Sequence, residues 1–226
     1  MSDIPKTFDG KYYDQKYFAD PLGKEFRRSD GSIEHWGYRS PDGEWLGAGP
    51  IVVAWKEVFE PRNLLDVGAG RGTFIAYARE EAGIEAVGFD YSEWAVGYGR
   101  YGQIGKTIHK CKEDWIRLHN ATQPWPYEDN SFDLVVALDF FEHIYEDDLS
   151  FVISELFRVA KRYVFLQIAT VDGVRETGFI LHRDEPVPWD DGRTWAGHVT
   201  VQEEAFWYDR LDHEDWMPRR DMVQHF

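Results

Sequence analysis

One carboxylate and three closely spaced glycines stand together in the segment LLDVGAGRG, at residues 64–72. Asp66 comes two residues before Gly68, and Gly70 and Gly72 follow at the same interval. Glycines at this spacing allow the backbone to approach an adenine-containing cofactor closely. The segment therefore predicts a cofactor loop, and the charge of Asp66 bears on which cofactor it holds.

The glycine pattern departs from the dinucleotide fingerprint G-x-G-x-x-G, because Thr73 occupies the position of the third glycine. A dinucleotide would place its pyrophosphate over this loop, where the carboxylate of Asp66 would repel it. S-adenosylmethionine has no phosphate and carries an ammonium and a sulfonium, which attract a carboxylate. These features favour S-adenosylmethionine over NAD, which is the alternative.

A second carboxylate, Asp90, is the last residue of the apolar segment that precedes Tyr91-Ser92. It lies about 20 residues beyond the glycines. An acid at this distance accepts hydrogen bonds from the ribose hydroxyls of an adenine cofactor. Asp90 could instead be only a turn residue before the N-cap Ser92. The order of acid, glycine loop, helix and second acid favours the ribose-binding interpretation.

The elements that must position these acids alternate between short apolar strands and amphipathic helical patterns. Such alternation predicts a Rossmann-like α/β fold, with a parallel sheet covered by helices on both faces. Ligands bind at the carboxyl ends of the strands in sheets of this kind. The pattern predicts strands at Leu64–Val67, Glu85–Asp90, Phe132–Leu138 and Tyr163–Ile168, and helices at Pro50–Glu60, Gly72–Ala82, from Ser92 to about Tyr101, over Leu149–Ala160 and near Gln202–Leu211.

Three segments between Leu64 and Ile168 resemble successive motifs of the class I S-adenosylmethionine-dependent methyltransferases, type 11 in particular. In chain order they are LLDVGAGRGTF, VGFDYSEWAV and PYEDNSFDLVVALDFFEHI. The resemblance extends to enzymes of glycan, secondary-metabolite and ubiquinone pathways. It implies a seven-stranded sheet with one antiparallel strand, and S-adenosylhomocysteine as the product of the cofactor.

The resemblance also implies which residues contact the cofactor. Asp66 would lie near its amino group, the glycine loop would pass under its methionine part, and Asp90 would hold the ribose with Tyr91 beside the adenine. The full set is Asp66, Val67, Gly68, Ala69, Gly70, Asp90, Tyr91, Asn120, Ala121 and Asp139.

The family usually has an Asp-Ala pair after its third strand, and here two segments compete for that role. Asn120-Ala121 has the better spacing to the following turn, whereas Asp114-Trp115 carries the acid. We favour Asn120, because its side-chain oxygen can accept a hydrogen bond from the adenine amine. The third strand then lies near Trp115–His119.

Two histidines are candidates for the base that an alcohol acceptor requires during methyl transfer. His143 follows the fourth strand in LDFFEHI, and His198 precedes the last predicted helix. Each could instead have only a local structural role. Asp139, Glu142 and His143 could hold a divalent metal only if their ligand atoms converged, and we expect no metal.

The composition of the chain limits which classes of partner we expect. The formal net charge of −16 repels nucleic acid, so we do not expect nucleic acid as a partner. No apolar run is long enough to span a bilayer, the N-terminus does not resemble a secretory signal, and Cys111 is the only cysteine. We therefore expect a cytoplasmic protein, while its oligomeric state is not predicted.

The chain is expected to form one domain over residues 1–226. Residues 1–61 would supply an N-terminal cover and a helix, 62–168 the cofactor-binding core, and 169–226 a substrate-facing loop and C-terminal elements. The tail after the last helix is too short for both final strands of the family, so either they are lost or the chain belongs to a longer one. We predict O-methylation of a small molecule or glycan; the alternatives are an N-methyltransferase of a metabolite or protein, and a non-catalytic cofactor-binding subunit.

Overall fold

The computed structural model describes residues 10–18, 24–27, 33–36, 48–97, 111–170 and 198–218. Strands β1 (Lys24–Arg27) and β2 (Ile33–Trp36) form a separate antiparallel pair. The main sheet has five parallel strands in the order β5-β4-β3-β6-β7. These strands are β3 (Asn63–Val67), β4 (Glu85–Asp90), β5 (Ile116–Leu118), β6 (Phe132–Leu138) and β7 (Ala160–Gln167).

Helices connect and cover these strands. They are α1 (Gln15–Phe18), α2 (Ala48–Phe59), α3 (Thr73–Glu80), α4 (Glu93–Gly97), α5 (Glu146–Val159) and α6 (Glu204–Leu211), with a 3₁₀ turn at Phe141–His143. No helix within the described ranges has the length and apolarity needed to cross a membrane.

Successive residues of the central strand face opposite layers of helices. Leu64 packs in one core with Trp55 of α2, whereas Leu65 packs in the other with Leu149 of α5 and Trp207 of α6. This alternation follows from the two-residue period of a strand. The predicted α/β architecture, with helices on both faces of a Rossmann-like sheet, is confirmed.

Local sequence signals set several boundaries. Strands β4 and β6 have the predicted bounds. Helix α3 starts at Thr73 because Gly72 has a left-handed φ of 74°. The hydroxyl of Ser92 caps α4 by accepting a hydrogen bond from the Ala95 amide at 2.9 Å, while the predicted end of that helix near Tyr101 lies outside the described residues.

The expected seven-stranded sheet with one antiparallel strand is not what the described ranges contain, since the main sheet there has five strands, all parallel. After α6 the chain makes a tight turn closed by a bridge between His213 and Trp216, and residues 219–226 lie outside the description. The β1–β2 hairpin was not predicted, because its short segments lack a clear alternating pattern.

Candidate functional site

A cavity of about 310 Å³ opens at the carboxyl edge of the sheet. Residues that follow β3, β4, β5 and β6 line it, as the order of parallel strands requires. Side chains of the N-terminal segment close one side of the cavity. These side chains are Tyr13, Tyr17 and Phe18. A smaller neighbouring cavity of about 60 Å³ extends along the glycine loop.

The glycine loop turns tightly under both cavities. Gly68 and Gly70 have φ angles of 73° and 53°, a region that favours glycine. The amides of Gly68 and Ala69 both donate to the carbonyl of Phe89, at 3.1 and 3.0 Å. A Cβ at Gly68 would lie 2.5 Å from the ring of Phe140. Glycine is therefore required there for conformation and for space.

Asp90 fixes this loop from the neighbouring strand. Its carboxylate accepts hydrogen bonds from the amides of Gly70 and Ser92, both at 2.7 Å. Burial raises the pKa of Asp90, and these hydrogen bonds oppose that shift. Tyr91 is exposed beside Asp90 at the cavity wall, and its contact with the adenine stays a prediction.

Asp66 is buried below the loop, and its Oδ2 atom has no hydrogen-bond partner among the described residues. Burial, together with repulsion from Asp90, raises the pKa of Asp66 to about 7. Asp66 lines the smaller cavity with Gly68, Ala69 and Asp139. A buried carboxylate with an unused oxygen is suited to bind a cation.

The remaining predicted cofactor residues differ in how they face the cavities. Ala121 and Asn120 line the larger one, and Asn120 Oδ1 accepts hydrogen bonds at 3.0 Å from both the amide and the hydroxyl of Thr122. Asp139 lines both cavities and accepts a hydrogen bond from Gln167 at 3.0 Å, while burial raises its pKa. Val67 lines neither cavity, because its side chain packs in the core.

The two candidate bases lie side by side. The rings of His143 and His198 meet edge to face with centroids 4.8 Å apart, but only His143 lines the larger cavity. Burial and the neighbouring His143 lower the pKa of His198 well below 6.5, so its ring is neutral near neutral pH. His143 is therefore the better placed of the two to meet an acceptor.

Glu142, next to His143 in the chain, forms hydrogen bonds with residues that are distant in sequence. Its carbonyl oxygen accepts hydrogen bonds from the amides of Val199 and Thr200, at 2.8 and 3.0 Å. Its side-chain Oε1 accepts from the amide of Ala169 at 3.2 Å. Burial and repulsion from Asp139 raise the pKa of Glu142 to about 8. Glu142 is thus protonated near neutral pH and has a structural role that sequence reasoning missed.

Ligand atoms of Glu142, His143 and His198 lie within 4.8 Å of one another. From the sequence, the candidate metal ligands were Asp139, Glu142 and His143. In the structure the third member of the cluster with Glu142 and His143 is His198. Because burial raises the pKa of Glu142, binding of a cation there would be accompanied by loss of its proton. That no metal is needed stays a prediction.

The aromatic N-terminal segment contributes more to the site than its irregular sequence indicated. Tyr17 is buried and Tyr13 is half-buried in the cavity wall, and Phe18 stacks on Trp94 with centroids 5.8 Å apart. The density of aromatic residues in KYYDQKYF was the available signal. Of the expected substrate-facing part, 169–226, residues 171–197 and 219–226 lie outside the description.

Comparison with known proteins agrees with this geometry. Residues 65–166 match the family model of the methyltransferase domain. Norajmaline N-methyltransferase of Rauvolfia serpentina is 29% identical over 105 residues, which are 45% of this chain and 33% of the relative. The chain therefore matches about a third of that relative's length.

Two solved structures have similar folds. A SAM-dependent methyltransferase from Archaeoglobus fulgidus superposes with a TM-score of 0.50 and 17% identity, over 73% of this chain and 66% of its own. The second comes from work on the conversion of a disulfide bond into a thioacetal group during echinomycin biosynthesis. It superposes with a TM-score of 0.55 and 17% identity, over 90% of this chain and 77% of its own. The resemblance to class I S-adenosylmethionine-dependent methyltransferases is confirmed.

Proposed function

We propose that this chain, which carries a methyltransferase domain at residues 65–166, binds S-adenosylmethionine at the carboxyl edge of its sheet and methylates a hydroxyl group of a small molecule or glycan. The observation that carries the proposal is the environment of the Asp66 carboxylate. A buried carboxylate with an unused oxygen beside a glycine loop matches the cofactor's ammonium. The same carboxylate disfavours a pyrophosphate.

The rest of the cofactor follows from the order of the strands. Its ribose would lie at Asp90, whose carboxylate is held at the loop by two amides. Its adenine would lie between Tyr91 and Asn120-Ala121, which all line the larger cavity. Because Asn120 Oδ1 already accepts two hydrogen bonds, its bond to the adenine amine would have to share that oxygen.

The chemistry is an in-line displacement. The acceptor oxygen attacks the methyl carbon, the carbon–sulfur bond breaks, and neutral S-adenosylhomocysteine leaves with the bonding electrons. The acceptor's proton passes to the ring of His143, which lines the cavity next to Asp139 and Phe140. Holding the three reacting atoms in line can supply roughly 7–11 kcal/mol of the barrier reduction.

An amine acceptor is the second candidate, favoured by the partial match to an N-methyltransferase. His143 could equally remove a proton from the amine after transfer. A third possibility is a cofactor-binding subunit without activity. In that case S-adenosylhomocysteine would bind and no acceptor would be methylated.

A screen for transfer of an isotopically labelled methyl group tests the proposal. The acceptors are hydroxylated sugars, phenols, lipids with free hydroxyls, and a matched set of amines. We expect label in a hydroxyl acceptor, and at least a tenfold loss of rate in His143→Gln. Label in amines alone would move the proposal to N-methylation. Tight cofactor binding without transfer to any purified or extracted acceptor would favour the non-catalytic subunit.

A further inference from the structure

The larger cavity has a wall that the proposed cofactor does not account for. The glycine loop and the residues after β4 and β5 are the expected cofactor contacts, which leaves the N-terminal segment and the residues that follow β6. Ring side chains predominate on this wall among the described residues. They are Tyr13, Tyr17, Phe18, Phe140, His143 and Tyr145. An acceptor that enters the cavity would therefore meet a surface of rings.

These rings are arranged in the way that aromatic groups pack with one another. Tyr17 and Tyr13 meet edge to face with centroids 5.0 Å apart, and Tyr13 and His143 do so at 5.5 Å. Tyr13 Oη also lies 3.1 Å from Nδ1 of His143. A further aromatic ring can join such a group through edge-to-face or offset-stacked contacts, which favour binding beyond the area that is buried. A saturated ring of the same size gains from the buried area alone.

We propose that the hydroxyl acceptor of this site is a phenol, a flat aromatic alcohol whose ring packs against Tyr13 and Tyr145. The inference rests on the proposed function and narrows its acceptor from a small molecule or glycan to the aromatic alcohols. Aliphatic alcohols and sugars would then be poor acceptors.

The charges around the cavity favour the same class of acceptor. No lysine or arginine is among the described residues that line the larger cavity, so these residues offer no cation to an acceptor oxygen that becomes negative. A phenol has a pKa of about 10, whereas water, to which aliphatic alcohols are close, has a pKa of about 15.7. The imidazole base of the proposed function can take a proton more easily from the stronger acid.

Binding of matched alcohols to the wild type tests the proposal first. Phenol is compared with cyclohexanol, and naphthol with decalol; the members of each pair share a carbon skeleton and a hydroxyl, and only one has an aromatic ring. Each is titrated calorimetrically into protein saturated with S-adenosylhomocysteine at about pH 7, where the phenols are neutral. We expect the aromatic member of a pair to bind about tenfold more tightly. Equal affinities in both pairs, or tighter binding of the saturated members, would overturn the proposal.

Tyr145 is the ring that can be removed with least disturbance, since Tyr13 contacts His143 and Phe140 packs against the glycine loop. We expect Tyr145→Leu to weaken naphthol binding about fivefold and to leave the affinity for S-adenosylhomocysteine within about twofold. Tyr145→Phe keeps the ring and should keep both affinities.

Phe151→Leu is the matched control, because Phe151 is an exposed ring of α5, near Tyr145 in the chain, and lines neither cofactor cavity. We expect it to leave naphthol binding unchanged. An unchanged naphthol affinity in Tyr145→Leu would reject the packing of the acceptor against Tyr145. The titrations of the wild type decide even if the variant does not fold.

Transfer of a labelled methyl group gives the second readout. We expect phenols to be methylated about a hundredfold faster than cyclohexanol or a methyl glycoside. Label in aliphatic alcohols or sugars but not in phenols would overturn this inference and leave O-methylation standing. Binding of S-adenosylhomocysteine without transfer to any hydroxyl would instead overturn the proposed function, and the assignment of a phenol would fail with it.

Discussion

Asp66 decides how cofactor binding should depend on pH. Its pKa is about 7 because it is buried near Asp90, and only its ionised form pairs with an ammonium. Binding below that pH must therefore release a proton. We predict that the affinity for S-adenosylhomocysteine rises at least tenfold between about pH 5.5 and 8, measured by calorimetry in buffers of different ionisation enthalpy.

Asp66→Asn is the matched variant for this experiment, since it keeps the shape of the side chain and removes the charge. We expect weaker binding at the higher pH and little dependence on pH. A wild type whose affinity and proton release are constant over this range would show that Asp66 does not face the ammonium.

The raised pKa of Glu142 leads to a separate prediction about stability. Its pKa rises from 4.5 unfolded to about 8 folded, so the protonated form favours the folded state. The resulting penalty is absent below about pH 4.5 and grows as pH rises through 8. We predict that Glu142→Gln melts several degrees higher than the wild type at about pH 9 and nearly equally at about pH 5.

Glu155→Gln is the control, because the pKa of Glu155 is lowered, first of all by its hydrogen bond to Arg158. Its contribution to stability is present above the unfolded pKa and is lost on acidification, so the variant should lose stability at neutral pH. If Glu142→Gln also lost stability at high pH, the buried carboxyl of Glu142 would have to be ionised and paired.

The glycine loop is the element whose conformation the site depends on most. Gly68 has a φ of 73°, and a Cβ there would strike the Phe140 ring at 2.5 Å. Gly83 has a similar φ of 65°, but nothing lies within 4 Å of its would-be Cβ. We predict that Gly68→Ala weakens binding of S-adenosylhomocysteine at least tenfold, whereas Gly83→Ala costs only about 1 kcal/mol of stability.

Equal affinities in Gly68→Ala and Gly83→Ala, measured by calorimetry on folded protein, would contradict this role of the loop. The pair controls for backbone strain, because both substitutions place alanine at a positive φ. Only Gly68→Ala also displaces a side chain that lines the larger cavity.

The strands and their helices could be predicted from the sequence because their signals are local. The short apolar runs of β4 and β6 and the capping hydroxyl of Ser92 act within a few residues, and the structure has these elements at the predicted positions. The contacts of Tyr13 with His143, and of Glu142 with Thr200, join positions far apart. No local sequence pattern indicates such a contact, so it could be identified only from the folded structure.

At the scale of the whole molecule, charge should select the acceptor. The formal net charge is −16, and the charged residues among those described around the larger cavity are all acidic: Asp90, Asp139 and Asp148. An anionic acceptor would be repelled on approach and inside the cavity. We predict at least a tenfold lower kcat/KM for a phosphorylated acceptor than for its neutral parent, with a difference that shrinks at high salt.

Equal rates for the two acceptors at low salt would mean that basic side chains outside the described residues face the acceptor. The comparison uses one parent compound in both forms, so size and the reacting hydroxyl stay constant.

The account as a whole depends on a phosphate-free, cationic cofactor at the carboxyl edge of the sheet. Calorimetric titration of the wild type at about pH 8 with S-adenosylhomocysteine and, separately, with NAD tests this most directly. We predict one binding site for S-adenosylhomocysteine with a Kd of about 10 μM or lower and no measurable heat with NAD. Tight binding of NAD without any binding of S-adenosylhomocysteine would contradict the central claim.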